Sequence, residues 1–500
     1  MLFNLKLKTS GRKISYGNLS IAVRYLIDDK NIGKSINNFE RIFNIHISNL
    51  QRKNFISESD NEIRFAKPNG KPDEILLFKV KLNDSFSVDY FRNNLAGLMQ
   101  SLQKEQLNEL HIFIPNFKYF KNYFDSEEYF YQTFVEGVLL GNYTFGKYKS
   151  DNKKVKPLGI SFYSADEKKL EAAIQKAQIV IGGVFFARDL QNEPANSITP
   201  NTLAIKVKKT LSASRVKVTV FNEKEIKKRK MGGLLGVGMG SDNPPRFIVM
   251  EYNPGKSKNN NKKIALVGKG VTFDTGGISI KPAANMGEMK ADMSGAAVVA
   301  GTVLAAAKAK LPIHLIGIIP TAENMVSGKS MRPGDILITS SGKSIEVDNT
   351  DAEGRLILAD ALNYASKLKP DIIIDLATLT GACVVALGEF VAGSFTKNES
   401  VSKKLFNAGL KTFDRVWPLP LWDDYNYLIK SDVADVKNVG GRWAGAITAA
   451  KFLENFVDKK TPWVHLDIAG PSMANSFNNY TRTYMTGFGV RLLMEFIQKY

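Results

Sequence analysis

Residues 264–282 read IALVGKGVTFDTGGISIKP. Ile264 to Val267 is a short continuous apolar run, the pattern of a strand buried on both faces. It ends at Gly268 and delivers Lys269 and then Asp274 into a glycine-rich turn closed by Gly276 and Gly277. A lysine and a carboxylate are thereby expected at a strand's end. Outward from this segment, strand-like runs recur between helical patterns: Val216 to Phe221, Phe247 to Tyr252, Ile313 to Ile319, Ile372 to Leu376 and Trp463 to Ile468. The alternation predicts an α/β fold with a mixed, largely parallel sheet covered by helices on both faces. In such a sheet ligands collect at the carboxyl ends of the strands.

Two further segments concentrate ionisable groups where a structural loop has no need of them: MKADMSGAA (289–297) and VDNTDAEGRL (347–356). Asp351, Glu353 and Arg355 are spaced two apart, so in an extended segment they would share one face, just ahead of a helix from Leu356 to Leu368. Carboxylates on one face repel unless a cation lies between them. With Asp274 and Asp292 added, four carboxylates could hold two divalent ions, and oxygen-rich ligation suits magnesium or manganese as well as zinc. A metal pair can polarise a carbonyl and activate water.

The length of 500 residues exceeds what one hydrophobic core usually organises, so two domains are expected. Residues 1–165 alternate strand-like runs (Leu2 to Leu7, Ile75 to Leu82, Leu110 to Ile114) with helix-like ones (Phe91 to Gln103, Tyr129 to Leu140), a smaller N-terminal α/β domain. Its aromatic stretch 116–134, NFKYFKNYFDSEEYFYQTF, reads as core and interface material. A lysine-rich segment, KYKSDNKKVKP (147–157), precedes strand-like Leu158 to Tyr163. Residues 166–192 read as one connecting helix, and 193–500 as the larger α/β domain, which carries all three ionisable segments.

The formal charge of +19 and the basic pI of about 9.5 raise nucleic acid as a partner. The densest clusters (Lys147 to Lys156, Glu223 to Lys230, Lys256 to Lys263) nevertheless read as solvated loops and helix surfaces. The single cysteine, Cys383, sits in an apolar run, closes no internal disulfide and reads as a buried small hydrophobe. No signal-like h-region and no continuous apolar run of spanning length is seen, so a cytoplasmic protein without a membrane partner is expected. GVGMGS (236–241) mimics a phosphate loop, but Pro244, Pro245 and a strand follow where a helix is required. His46, His111, His314 and His465 form no HExxH and no paired ligand spacing, and Ser294 lacks a strained GxSxG context, which argues against zincin and serine-nucleophile chemistry.

VGKGVTFDTGG, MKADMSGAA and NTDAEGRL resemble, in order and separation, the signature segments of the leucyl aminopeptidase family. The likeness extends through ARDLQNEPAN, GGLLGVGMGS, DLATLTGA, PLPLW and TGFGVRLLMEF, and so covers Ala187 to Ile497. The resemblance implies two divalent metal ions per subunit, zinc or manganese with magnesium as an alternative. One tight metal would be held by Lys269, Asp274, Asp292 and Glu353, and an exchangeable one by Asp274, Asp351 and Glu353. It implies that Lys281 polarises the scissile carbonyl or steadies the gem-diolate, and that Arg355 holds a bicarbonate serving as general base. The first side chain of the substrate would be received by Met289, Thr378, Gly381 and Ala469, with Met473 beside them. The implied activity is removal of N-terminal residues, leucine or other apolar ones by preference, from peptides with a free N-terminus. The implied assembly is a homohexamer, and a DNA-binding accessory role, known in some bacterial members, is the alternative.

Overall fold

The computed structural model describes residues 5–9, 15–57, 61–67, 70–84, 86–102, 107–150, 158–255, 262–473, 478–481 and 483–500. The lysine-rich segment 151–157, the asparagine-rich loop 256–261, Gln103 and the start of the first expected strand, Leu2 to Asn4, lie outside the described residues. The chain divides into two compact units, Met1–Ile181 with Asn478–Tyr480, and Gly182–Phe477 with Thr481–Tyr500. The division falls inside the helix Glu167–Asn192. That helix is long and apolar enough, by length and composition, to cross a bilayer, but 67% of its most apolar stretch is buried inside the fold, as in a core helix.

The first unit is built on a six-stranded sheet, with strands Leu5–Thr9, Leu158–Tyr163, Glu109–Phe113, Ser20–Ile27, Glu74–Val80 and Glu62–Ala66 side by side. All neighbours run parallel except the last pair. The helix Glu127–Gly141 starts where Ser126 Oγ accepts from the Tyr129 N–H, with Glu127 and Glu128 in its first turn, both favourable at a helix N-terminus. It is buried on every side from Tyr129 onward, which explains the density of aromatic residues in 116–134.

In the second unit, strands Arg415–Pro418, Val391–Phe395, Trp463–Asp467, Ile372–Ala377, Lys263–Gly268, His314–Asn324, Arg246–Tyr252 and Lys217–Phe221 lie in that order, and Gly270–Asp274 pairs with His314–Asn324. The central pairings are parallel and those towards the Lys217–Phe221 edge antiparallel. Side chains alternate across the central strand. Ala265 and Val267 join a hydrophobic cluster with Leu356, Ile357 and Leu358 of helix Gly354–Lys367. Ile264 and Leu266, equally buried, face the other side, where helix Ser294–Lys308 packs. That helix is buried from Ser294 to Ala307 and is built almost wholly of small and β-branched residues, which let it lie close to the sheet.

Candidate active site

Four segments of the site emerge at the carboxyl ends of the parallel strands. Lys269 follows Lys263–Gly268, Asp274 ends Gly270–Asp274, Thr378 follows Ile372–Ala377 and Ala469 lies two residues past Trp463–Asp467. The Lys269 backbone is clamped on both sides: its N–H donates to Leu376 O at 3.0 Å and its carbonyl accepts from the Ala296 N–H at 2.8 Å. This clamp requires glycine at 295, where a Cβ would stand 2.1 Å from Leu376 O. Beyond Asp274 the chain reverses through Gly276 and Gly277 at φ +84° and +67°, a region that other residues rarely adopt. The reversal brings Lys281 back over Asp274.

Lys269 Nζ donates to Asp292 Oδ1 at 2.8 Å and to Thr378 O at 2.9 Å, and stands 2.8 Å from Glu353 Oε1. Lys281 Nζ is 2.9 Å from Asp274 Oδ2 and also pairs with Asp351 Oδ1. Asp274 Oδ1 accepts from Asn324 Nδ2 at 2.8 Å and from the Gly276 N–H at 2.9 Å. Asp292 Oδ1 accepts from Thr378 Oγ1 at 2.7 Å, whereas its Oδ2 is buried and accepts nothing from the described residues. Ligand oxygens of Asp274, Asp351 and Glu353 all lie within 4.8 Å of one another.

Four carboxylates thus face two ammonium groups, an excess of negative charge in a largely buried pocket. Burial and the neighbouring carboxylate of Asp274 push the Glu353 carboxyl well up, opposed only in part by Lys269. Burial likewise raises Asp292 and Asp351. Lys269 is held as an ammonium: burial alone would lower its pKa, but Asp292, Glu353 and Asp274 together raise it. An orphaned buried carboxylate oxygen, a cluster of three converging carboxylates and an uncompensated negative charge all fit divalent cations, which would hold these carboxyls ionised. Lysine joins such a donor set only after losing its proton.

These residues line one cavity of about 350 Å³, shared with Met289, Thr378, Gly381, Ala469 and Met473. All the metal-ligand candidates and Lys281 therefore meet the residues expected to receive the first side chain. Arg355 is not part of that lining. It stands in the first turn of helix Gly354–Lys367, its guanidinium donating to Asn438 O at 2.5 Å, with Nε buried and unpartnered among the described residues. Burial lowers its pKa to about 10, Glu353 and Asp467 resisting. The expected extended face is also corrected. Glu353 is already helical at φ −76°, ψ −36°, and Asp351 sits in the preceding turn, so the carboxylates converge through the bend of the chain rather than through alternation.

Two buried residues that sequence reasoning passed over hold the site together. Asn324, at the end of its strand, bridges Asp274 Oδ1 and Thr350 O. Asp467 accepts from the Leu379 N–H, Thr380 Oγ1 and the Ala469 N–H, at 3.2, 2.6 and 3.2 Å. The signal available for both was a polar residue at the carboxyl end of a largely apolar strand. Cys383 is buried, its thiol pushed up to about 12 by burial. The GVGMGS run begins inside the short helix Gly232–Gly238 and is followed by a strand.

Residues 185–494 match the family model described as cytosol aminopeptidase family, catalytic domain. The chain belongs to the cytosol aminopeptidase family. A probable cytosol aminopeptidase of Chloroherpeton thalassium is 47% identical over 442 residues, covering 85% of this chain and 86% of that one. One from Persephonella marina is 42% identical over 97% of this chain and 99% of its own. Among solved structures, a mutant of tomato leucine aminopeptidase superposes with a TM-score of 0.85 at 31% identity, covering 99% of this chain and 96% of that one. A bottromycin maturation enzyme, BotP, in complex with Mn superposes with a TM-score of 0.82 at 28% identity over 96% of this chain and 99% of its own. As a member of the cytosol aminopeptidase family the chain is a metal-dependent aminopeptidase, a hydrolase acting on peptides. None of these relatives supports a nucleic-acid partner.

Proposed function

We propose that the chain removes N-terminal residues, by preference leucine and other apolar ones, from peptides by a mechanism using two divalent cations. The observation that carries this reading is the convergence of Asp274, Asp351 and Glu353, with Lys269 and Asp292 beside them, on the cavity that Lys281 and an apolar wall share. Lys269, Asp274, Asp292 and Glu353 would hold one cation, zinc or manganese, and Asp274, Asp351 and Glu353 the other. Cations there supply Lewis acidity to a carbonyl and lower the pKa of a coordinated water.

The residues of the chain do the rest. Lys281, charged and tethered between Asp274 and Asp351, meets the oxygen of the scissile carbonyl and stabilises the charge that develops on it. Met289, Ala469 and Met473, with the open space at Gly381, receive the first side chain and exclude water from it. Arg355, whose buried Nε has no partner among the described residues, would be the group that holds a bicarbonate general base. Large exposed apolar side chains, among them Val385, Tyr427 and Trp443, support burial of this unit's surface in an oligomer, the hexamer expected from the resemblance. A cytoplasmic site of action accords with the names of the relatives.

The test is hydrolysis of leucine p-nitroanilide by the full chain, before and after chelation and with manganese or zinc restored, beside Lys281→Met. Turnover should need metal, should favour leucine over aspartate p-nitroanilide, and should fall by more than about 100-fold in the variant, beyond the loss typical of an outer-shell residue. Turnover indifferent to chelation would overturn the reading.

A further inference from the structure

The N-terminal unit has a cavity of its own, of about 410 Å³, at the carboxyl ends of strands Ser20–Ile27, Glu109–Phe113 and Leu158–Tyr163. It is walled by the 35–42 face of helix Ile32–Phe43. Its position follows from the topology. Ser20–Ile27 has Glu74–Val80 on one side and Glu109–Phe113 on the other, both parallel to it. The chain builds the first side, then crosses to the second, so connections leave in opposite directions and a crevice opens between them. This is the switch point at which open α/β sheets bind ligands.

The chemistry of the lining is specific. Arg24 projects from the same strand face as Ala22 and Leu26, which lie in the unit's hydrophobic core. Its guanidinium carbon lies 4.8 Å from the centroid of the Phe113 ring. Among the described residues it has neither an ion-pair partner nor a hydrogen bond, although it is half-buried. Burial lowers its pKa, with Tyr16 opposing. A cation held this way, stacked and directed but unpaired, is costly unless an anion completes it. Asn38 and Asn116 spend their side-chain oxygens on Arg41 and on the Lys118 N–H, which leaves their amide N–H groups as further donors. The one carboxylate in the lining, Asp29, uses one oxygen on the Asn31 N–H and suits hydroxyl groups. Tyr119, 41% exposed, adds an aromatic face, and the volume falls within the range of small-molecule sites.

We propose that this switch-point cavity binds a nucleoside phosphate, Arg24 pairing with the phosphate, Asp29 accepting from ribose hydroxyls and Tyr119 stacking on the base. The site is separate in sequence from every residue of the peptidase cavity and does not rest on the peptidase reading.

The experiment is calorimetric titration of the metal-loaded full chain with AMP, ADP, GDP, adenosine and inorganic phosphate, repeated on Arg24→Gln and Ile42→Trp. Ile42 is 49% exposed on the helix wall, so the second variant fills the cavity without disturbing the core. Saturable binding of a nucleotide, one per chain, weakened at least tenfold in both variants while leucine p-nitroanilide hydrolysis is retained, is the expected result. Nucleotide binding that both variants leave unchanged would place the phosphate at the metal centre and overturn the proposal. Inorganic phosphate binding as tightly as any nucleotide would reduce the cavity to an anion site and also overturn it, as would the absence of binding by every probe.

Discussion

Lys269 Nζ donates to Asp292 Oδ1 at 2.8 Å, and both side chains are almost wholly buried. Because the ammonium also stands beside Glu353, it is the internal counter-charge for two buried carboxylates. Removing one partner of a buried pair leaves the other uncompensated, at a cost of about 3–5 kcal/mol. Lys269→Met is therefore expected to lower the unfolding free energy by about 3 kcal/mol in chelated protein. The loss should be larger with manganese present, since a centre lacking one of its proposed ligands binds the cation less tightly and gains less stability from it. Urea unfolding of both proteins, with and without metal, measures it.

Asp467 ties the 378–381 wall of the cavity to the 469–470 wall through three accepted hydrogen bonds. An asparagine can present one oxygen but not two, so Asp467→Asn leaves either Thr380 or the two backbone N–H groups unsatisfied. The expected stability loss is about 1–3 kcal/mol. The kinetic signature is a rise in KM larger than the fall in kcat, because the walls that receive substrate shift while Asp467 itself bonds to none of the four carboxylates. Steady-state kinetics on leucine p-nitroanilide separates the two.

Backbone contact at Gly295 gives a sharper contrast. A Cβ there would meet Leu376 O at 2.1 Å and Lys269 N at 2.8 Å, whereas one at Gly287 would meet nothing within 4 Å. Gly295→Ala should cost about 3 kcal/mol, at the upper end of overpacking changes, and should weaken metal binding by displacing Lys269. Gly287→Ala should change stability by less than about 1 kcal/mol. Thermal melts of the two variants provide the comparison.

The fully buried pair of His465 and Asp375, 2.6 Å apart, makes stability depend on pH. Burial alone would lower the imidazole pKa, but Asp375, by charge and hydrogen bond, and Asp467 raise it above its ordinary value. A raised pKa means that the pair's contribution is complete below about pH 6.5, the unfolded value, and is lost as pH rises through the folded one. The stability difference between the protein and His465→Gln should accordingly be larger at pH 6 than at pH 9, as read by urea unfolding. A difference that grows with pH would contradict this.

Much of this architecture was legible because the central strands are buried on both faces and so appear as largely apolar runs, broken only by Asp375, His465 and Asp467: Ile264 to Val267, Ile372 to Leu376 and Trp463 to Asp467 all lie in strands. Val391–Phe395 and Arg415–Pro418 escaped notice because a glycine and serine interrupt one and a proline ends the other. Ser20–Ile27 is split by Arg24 into two three-residue apolar runs too short to stand out, yet it is central to its sheet. At the site, residue types and motif order picked out the carboxylates, but the reasoning from spacing failed at Asp351, Glu353 and Arg355, where the helix begins at Gly354 rather than at Leu356. Asn324 and Asp467 were not legible for a different reason. Their partners lie 50 and 88 residues away in the chain, so only the folded sheet shows what they do.

Metal stoichiometry tests the central claim most directly. Chelated protein titrated with manganese, and followed by calorimetry, should take up two ions per chain with separable affinities, and Asp351→Asn should keep the tighter one while losing the weaker. A single ion whose uptake is unaffected by Asp351→Asn, or no uptake at all, would contradict the two-cation centre.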